Sequence, residues 1–211
     1  MDLQNSHCDK VKVVYYTYPQ CAASWAMQRT WEELLTNFKE FVSLQICMTG
    51  VPQLPALGHE TARTAKVPRD MACLAVKAAS LQSQWTADLY LAELRKACMV
   101  EHQDISKLDV LVQIARQVSK NNRGIFDLHR FGQDFDSRAC RQSLYEDQQK
   151  IRINNITESP TLTFTIDGKG IKVSGYQRYQ RFADILHSLS ARVQFAGSER
   201  PEAQKYPVWR Q

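Results

Sequence analysis

The stretch that decides the fold runs from Val11 to Trp25 and reads Val-Lys-Val-Val-Tyr-Tyr-Thr-Tyr-Pro-Gln-Cys-Ala-Ala-Ser-Trp. Its first part, residues 11–16, is rich in β-branched and aromatic side chains and predicts a strand. The residues after Cys21 predict the start of a helix. Cys21 therefore lies at a strand-to-helix junction, where unpaired backbone N–H groups and the positive end of the helix dipole favour a thiolate over a thiol.

A second feature of this stretch is the residue three positions after Cys21. A dithiol redox site carries a cysteine there, whereas this chain has Ser24. A serine hydroxyl can hydrogen-bond to a thiolate, but it cannot attack a mixed disulfide and release the bound substrate. We therefore expect Cys21 to be a partly exposed nucleophile that works without a neighbouring resolving cysteine.

Length, composition and charge narrow the class of protein. The chain has 211 residues, of which 44% are hydrophobic, enough for one good-sized domain or for a domain with an insertion. The net charge is +5, but basic residues are mixed with acidic ones, so we expect no nucleic-acid partner. No apolar stretch is long enough to span a membrane, and the polar residues 1–7 are unlike a signal peptide. These features predict a cytoplasmic protein with no membrane partner.

The cysteines do not form a recognisable metal or disulfide pattern. None belongs to a C-x-x-C pair, and the histidines lack the spacing of metal ligands, so no metal site is predicted. We interpret Cys8 as a free cysteine and the four that follow Cys21 as small buried hydrophobic residues. The six positions are Cys8, Cys21, Cys47, Cys73, Cys98 and Cys140.

The first third of the chain predicts a βαβ unit. A helix over 22–39 and a strand over 41–48 follow the strand at 11–16, and a helical connection favours parallel pairing of the two strands. The region from about 66 to 150 is predicted to be helical throughout. Within it, Ser106 with Asp109 resembles a helix-start capping box, and Ser137 can cap a further helix.

Strand character returns near the end of the chain. Residues 161–166 alternate as a half-buried strand does, and Asp167-Gly168 is a hairpin turn signal. A return strand over 171–174 and a helix over 179–189 complete the pattern. The two sheet-forming parts should join in one mixed α/β sheet, with the helical block inserted between them. The predicted divisions are 9–60 with 151–195 for the sheet domain, 61–150 for the all-helical insertion, and 196–211 for a loosely ordered tail.

This arrangement resembles the DsbA-like thioredoxin family, especially its cytosolic branch. That family carries Pro-x-Cys-x-x-Cys-Trp after its first strand, and the residues from Pro19 to Trp25 match it except at Ser24. Three further landmarks occur in the family's order: a cysteine-containing, alanine-rich helix at 72–79, a proline before the third strand at Ser159-Pro160, and Gly175-Tyr176 after the hairpin. The resemblance implies a thioredoxin-like fold and a cis peptide bond before Pro160.

The resemblance leaves three functions open. The first is a monothiol thiol-disulfide oxidoreductase or isomerase, with Cys21 and Ser24 catalytic and a substrate groove lined by Pro19, Trp25, Ser159 and Pro160. Its partner would be a protein or small-thiol disulfide, with no resident cofactor other than glutathione or another low-molecular-weight thiol. The second is a non-catalytic adaptor that binds a protein partner. The third is a glutathione-linked transferase or isomerase, which the retained Cys21 argues against because those relatives replace the first cysteine with serine.

Overall fold

The computed structural model describes residues 10–50 and 68–190, with the backbone alone described for residues 68–70 and 190. Cys8, the tail over 196–211 and nearly all of the segment that connects the second strand to the next helix lie outside the described residues. A short 3-10 turn over Lys39–Phe41 precedes the second strand. In chain order the other elements are β1 (Val11–Thr17), α1 (Ala22–Ala26), α2 (Gln28–Phe38), β2 (Val42–Met48), α3 (Pro68–Ser80), α4 (Gln84–Met99), α5 (Leu108–Asn121), α6 (Leu128–Asp134), α7 (Arg138–Ile153), β3 (Thr161–Ile166), β4 (Lys169–Ser174) and α8 (Tyr179–Ser190).

The four described strands form one mixed sheet in the order β2-β1-β3-β4. Strand β1 pairs parallel to β2, with Tyr15 opposite Ile46, and antiparallel to β3, with Tyr15 opposite Leu162. Strands β3 and β4 form an antiparallel hairpin. This topology confirms the predicted thioredoxin-like fold, in which a βαβ unit and a ββα unit share a sheet.

Alternate residues of β1 point to opposite faces of the sheet, and both faces are covered by helices. On one face Tyr15 packs against Trp31 of α2, with 4.6 Å between the ring centroids. Phe182 of α8 belongs to the same core cluster. On the other face Tyr16 and Cys47 form a smaller cluster, against which Ile151 of α7 packs. Neighbouring residues of β1 therefore contact different helices, one set on each face of the sheet.

The helices between β2 and β3 cover the edge of the sheet at β2. The side chain of Gln84 accepts a hydrogen bond from the Ile46 N–H at 2.7 Å, and Oδ2 of Asp147 accepts one from the Met48 N–H at 2.8 Å. Lys77 pairs with that carboxylate at 2.8 Å. Lys77 also donates to the Ile46 carbonyl at 3.5 Å, so side chains from α3, α4 and α7 satisfy backbone groups that an open strand edge would present to solvent.

Two local predictions are confirmed by the backbone geometry. Asp167 and Gly168 have φ angles of 48° and 72°. Two successive residues with positive φ are typical of a type I′ turn, and here they join the paired residues Ile166 and Lys169. Ser137 caps α7, since its hydroxyl accepts the Cys140 N–H at 3.1 Å.

Two other local predictions are wrong. The helix predicted over 22–39 is divided at Met27, whose ψ of −4° separates α1 from α2. Met27 is fully buried there, so the break allows α1 to begin at Cys21 while α2 packs along the sheet. Ser106 does not cap α5, because Asp104 lies closer: both the hydroxyl and the N–H of Ser106 donate to its carboxylate, at 2.6 and 3.1 Å. The residue at the N-cap is Lys107, whose side chain makes no capping bond.

Candidate active site

Cys21 occupies the N-cap position of α1, directly after the turn that follows β1. Its sulfur accepts the Ser24 N–H at 3.4 Å, while its own N–H donates to the Tyr18 carbonyl at 3.2 Å. Cys21 is only 2% exposed. The expectation of a partly exposed thiol was therefore wrong, and the reason lies in the segment that precedes β3.

Ser159 contacts the sulfur of Cys21 from the other half of the sheet. The Cys21 thiol donates to the Ser159 carbonyl at 3.4 Å, and the Ser159 hydroxyl reaches the sulfur at 3.4 Å. The Ser159–Pro160 peptide bond is cis. Pro160 is buried, and its carbonyl accepts the Gly175 N–H at 2.7 Å. Residues 138 positions apart in the sequence thus meet at one sulfur atom.

Hydrogen bonds make Cys21 an acidic thiol despite its burial. Burial alone would raise the pKa of Cys21, but hydrogen bonds from Ser159 and Ser24, together with the charge of Arg95, outweigh it and lower the pKa below its ordinary value. In contrast, burial raises the pKa values of the thiols of Cys47, Cys98 and Cys140. Of these four cysteines, Cys21 is the one whose surroundings are suited to a nucleophilic thiolate.

Ser24 is fully buried and forms part of a polar network below Cys21. Its hydroxyl lies 2.8 Å from that of Thr17, the last residue of β1. Thr17 accepts a hydrogen bond from Nη2 of Arg95 on α4 at 2.6 Å, and Nη1 of Arg95 donates to the Gln28 side-chain carbonyl at 2.8 Å. The sequence reasoning missed Thr17, Gln28 and Arg95. The signal for Arg95 was its position four residues after Leu91, within the apolar face of α4.

The remaining predicted groove residues flank Cys21 along the chain. Pro19 is buried in the turn before Cys21, whereas Trp25 is partly exposed on α1. The backbone N–H of Trp25 donates to the Cys21 carbonyl at 2.9 Å, which begins the helix. The structure thus brings Cys21, Ser24 and Ser159 into direct contact and places Pro19 and Trp25 beside them.

The described part of the chain offers neither a metal site nor a membrane-spanning helix. Within residues 10–50 and 71–189, no group of three or more His, Cys, Asp and Glu side chains is arranged to hold a metal ion. No helix in the described part combines the length and apolar character that spanning a membrane requires.

The chain is similar in sequence to proteins of known family. A family model described as thioredoxin matches residues 15–184. The chain is 29% identical over 119 residues to the ClpXP adapter protein SpxH of Halalkalibacterium halodurans, an alignment that covers 55% of this chain and 37% of that relative. The chain thus spans little more than a third of that curated relative's length.

Solved structures share the fold at low sequence identity. A protein of Nitrosomonas europaea, described as a candidate protein disulfide isomerase, matches with a TM-score of 0.71 and 18% identity over 87% of this chain and 99% of that one. The cytosolic disulfide reductase DsbM of Pseudomonas aeruginosa matches with a TM-score of 0.61 and 15% identity, covering 88% and 100% of the two chains. With the family match across most of its length, the chain belongs to the thioredoxin family and has the DsbA-like form of its fold.

Proposed function

We propose that this protein is a monothiol thiol-disulfide oxidoreductase or isomerase in which Cys21 is the nucleophile. The observation that supports it is the set of hydrogen bonds on one sulfur. The Ser24 N–H and the Ser159 hydroxyl both reach the sulfur of Cys21 at 3.4 Å. Groups that donate to a thiolate stabilise the charged form, so they favour the reactive species near neutral pH.

The reaction consists of two thiol-disulfide exchanges. The Cys21 thiolate attacks one sulfur of a substrate disulfide, whose S–S bond breaks, and the other sulfur leaves as a thiolate that takes up a proton from water. The product is a mixed disulfide on Cys21. A second thiolate, from glutathione or another low-molecular-weight thiol, then attacks this bond and releases Cys21. Ser24 cannot perform the second step because an alcohol is not a competent nucleophile toward a disulfide.

Substrate access requires movement of the groups that cover the sulfur. Cys21 is 2% exposed, and Ser159, which lies outside α1, contacts its sulfur. We assign Pro19, Trp25, Ser159 and Pro160 as the groove that receives the disulfide. A displacement of Ser159 would open the sulfur and would leave the Ser24 N–H in place on its other side. We also propose a cytoplasmic location, as for the cytosolic reductase DsbM with the same fold.

The test is mixed-disulfide formation with oxidised glutathione, measured by intact mass and peptide mapping. We expect one glutathione adduct, located on Cys21, and none in Cys21→Ala. Cys98→Ala is the matched control, because Cys98 is more exposed than Cys21 but has a raised pKa. Its adduct should equal that of the wild type. Equal labelling of Cys98 and Cys21, or no adduct at all, would contradict the proposal.

The second candidate is a protein adaptor, which the similarity to SpxH favours. An adaptor would bind its partner through a surface of the fold, and the low exposure of Cys21 agrees with a function that does not use the thiol. Binding of the purified chain to a ClpXP protease distinguishes the two. Binding that is retained in Cys21→Ala, in a protein that forms no glutathione adduct, would favour the adaptor.

A further inference from the structure

Arg95 is a buried cation that makes no direct ion pair with a carboxylate of the described residues. Its side chain is fully buried, and within residues 10–50 and 71–189 it forms no ion pair. Its Nε has no hydrogen-bond partner there either. Burial of a guanidinium is costly unless its charge and its donors are compensated. An arginine in this position therefore needs an explanation beyond packing.

The polar contacts of Arg95 all lie on the Cys21 side of α4. Nη2 donates to the Thr17 hydroxyl at 2.6 Å and Nη1 donates to Gln28 at 2.8 Å. The guanidinium carbon also lies 5.4 Å from the centre of the Tyr15 ring, within the range of a cation–π contact. The cation is thus held beneath the end of β1, where the turn to Cys21 begins.

The chemistry of these groups fixes the direction of the hydrogen bonds. A guanidinium can only donate, so the Thr17 oxygen must accept from Arg95. In the described residues the Thr17 hydroxyl has one further partner, the Ser24 hydroxyl at 2.8 Å. The Thr17 proton therefore points to Ser24, and the Ser24 proton is left available for the sulfur of Cys21. Two links of this chain are hydrogen bonds of the structure, from Arg95 to Thr17 at 2.6 Å and between Thr17 and Ser24 at 2.8 Å. The Ser24 N–H lies 3.4 Å from the sulfur, and the link from the Ser24 hydroxyl to that atom belongs to the proposal.

We propose that Arg95 is a positioning residue of the Cys21 site, which orients the Thr17 and Ser24 hydroxyls so that Ser24 donates to the sulfur and favours its thiolate. This inference rests on the proposed thiol chemistry of Cys21 and adds to it a residue of α4, one of the inserted helices. In this arrangement Ser24 does more than replace a resolving cysteine, because its hydroxyl donates to the thiolate.

Other ionisable groups face the same region. Tyr18 lies next to Cys21, and Asp88 on α4 interacts with the charge of Arg95. Glu32 on α2 accepts from the Gln28 side chain at 2.9 Å, which links it to Arg95 through one residue. None of these three groups is a hydrogen-bond partner of the Thr17 or Ser24 hydroxyl in the described residues.

The test is the pH dependence of Cys21 alkylation by iodoacetamide, read from the Cys21 peptide by mass spectrometry. We compare the wild type with Arg95→Met, Thr17→Val and Thr17→Ser. Lys96→Met is the matched control, since Lys96 is the next residue of α4 and its side chain is 49% exposed. We expect Arg95→Met to slow alkylation at pH 6 by about tenfold, with an unchanged rate on the alkaline plateau. Thr17→Val should slow it in the same direction, whereas Thr17→Ser and Lys96→Met should behave as the wild type does.

The variants separate the proposal from its alternatives. An unchanged pH profile in a folded Arg95→Met would overturn it, and so would an unchanged profile in Thr17→Val, because the cation would then act without the hydroxyls. If circular dichroism shows that Arg95→Met does not fold, the Thr17→Val and Thr17→Ser pair decides alone. Alkylation does not depend on disulfide exchange. A wild type that forms no glutathione adduct but shows the Arg95-dependent profile would therefore refute the proposed function and not this inference.

Discussion

The ion pair between Lys77 and Asp147 holds the inserted helices on the edge of the sheet, and its removal should be strongly destabilising. The Nζ and Oδ2 atoms are 2.8 Å apart, and the side chains are 3% and 1% exposed. The same Asp147 oxygen accepts the Met48 N–H of β2. Lys77→Met leaves a carboxylate buried without its counter-ion, which costs about 3–5 kcal/mol of the free energy of unfolding. A domain is typically stable by about 5–15 kcal/mol, so this variant should lose a large part of its stability.

Urea unfolding followed by far-ultraviolet circular dichroism measures the effect. We compare the wild type with Lys77→Met, Asp147→Asn and the double variant. The double variant contains no unpaired charge, and its asparagine retains an oxygen for the Met48 N–H. It should therefore be more stable than the sum of the single losses predicts, by about 1–3 kcal/mol. Lys96→Met is the surface control, because the Lys96–Glu101 pair is 3.9 Å apart and its side chains are 49% and 39% exposed. It should change stability by no more than about 1 kcal/mol.

Two results would refute this reasoning. A loss below about 1 kcal/mol in Lys77→Met would mean that the pair behaves as a solvated surface pair does. Additive losses in the double variant would mean that the two side chains do not depend on each other, whatever their distance. A changed dependence of the unfolding free energy on urea concentration would instead indicate that the inserted helices unfold separately from the sheet.

Three further predictions concern the site, pH and the hairpin. Ser24→Cys should form a reversible disulfide between Cys21 and the introduced thiol, which thiol titration measures. The variant should also reduce a test disulfide when a dithiol is supplied, which turnover measures. A variant that forms the disulfide but exchanges no faster than the wild type would favour the adaptor. Burial raises the pKa of Asp88 to about 6, although the Trp31 hydrogen bond and the charge of Arg95 act to lower it. Folding thus favours the protonated carboxyl group of Asp88, whose contribution to stability is present below about pH 4 and is lost as the pH rises to about 6. In Asp88→Asn this part of the pH dependence of the urea midpoint should disappear. Urea midpoints that depend on pH in the same way in Asp88→Asn and in the wild type would contradict this prediction. Gly168 has a φ of 72° with open space around it, so Gly168→Ala should cost about 1 kcal/mol by backbone strain alone, and an unchanged urea midpoint would disprove that.

The sequence predicted those parts of the fold that depend on local patterns. The β-branched and aromatic content of β1 and the alternation in β3 predicted the strands, and the Asp167-Gly168 pair predicted the turn that its two positive φ angles confirm. Each of these signals lies within a few residues of the structure it specifies. The Cys21 junction was predicted for the same reason, since strand, turn and helix follow one another directly.

The sequence did not predict the features that depend on distant contacts. Met27 is fully buried where α1 ends and α2 begins, and helical spacing continues through this break, so no local pattern marked it. Arg95 binds Thr17 and Gln28 across 78 and 67 residues, so no local pattern could identify its partners. The burial of Cys21 likewise depends on Ser159, which comes from the other half of the sheet.

The network below Cys21 supplies a physical reason for serine at position 24. A fully buried guanidinium requires strong acceptors, and the Thr17 oxygen can serve Arg95 fully when its own proton has an oxygen to bind. The Ser24 hydroxyl supplies that oxygen at 2.8 Å. A thiol is a weaker and longer hydrogen-bond partner, and a disulfide to Cys21 would turn the sulfur away from Thr17 altogether. Serine at position 24 is therefore matched to the hydrogen bond that Thr17 accepts from Arg95.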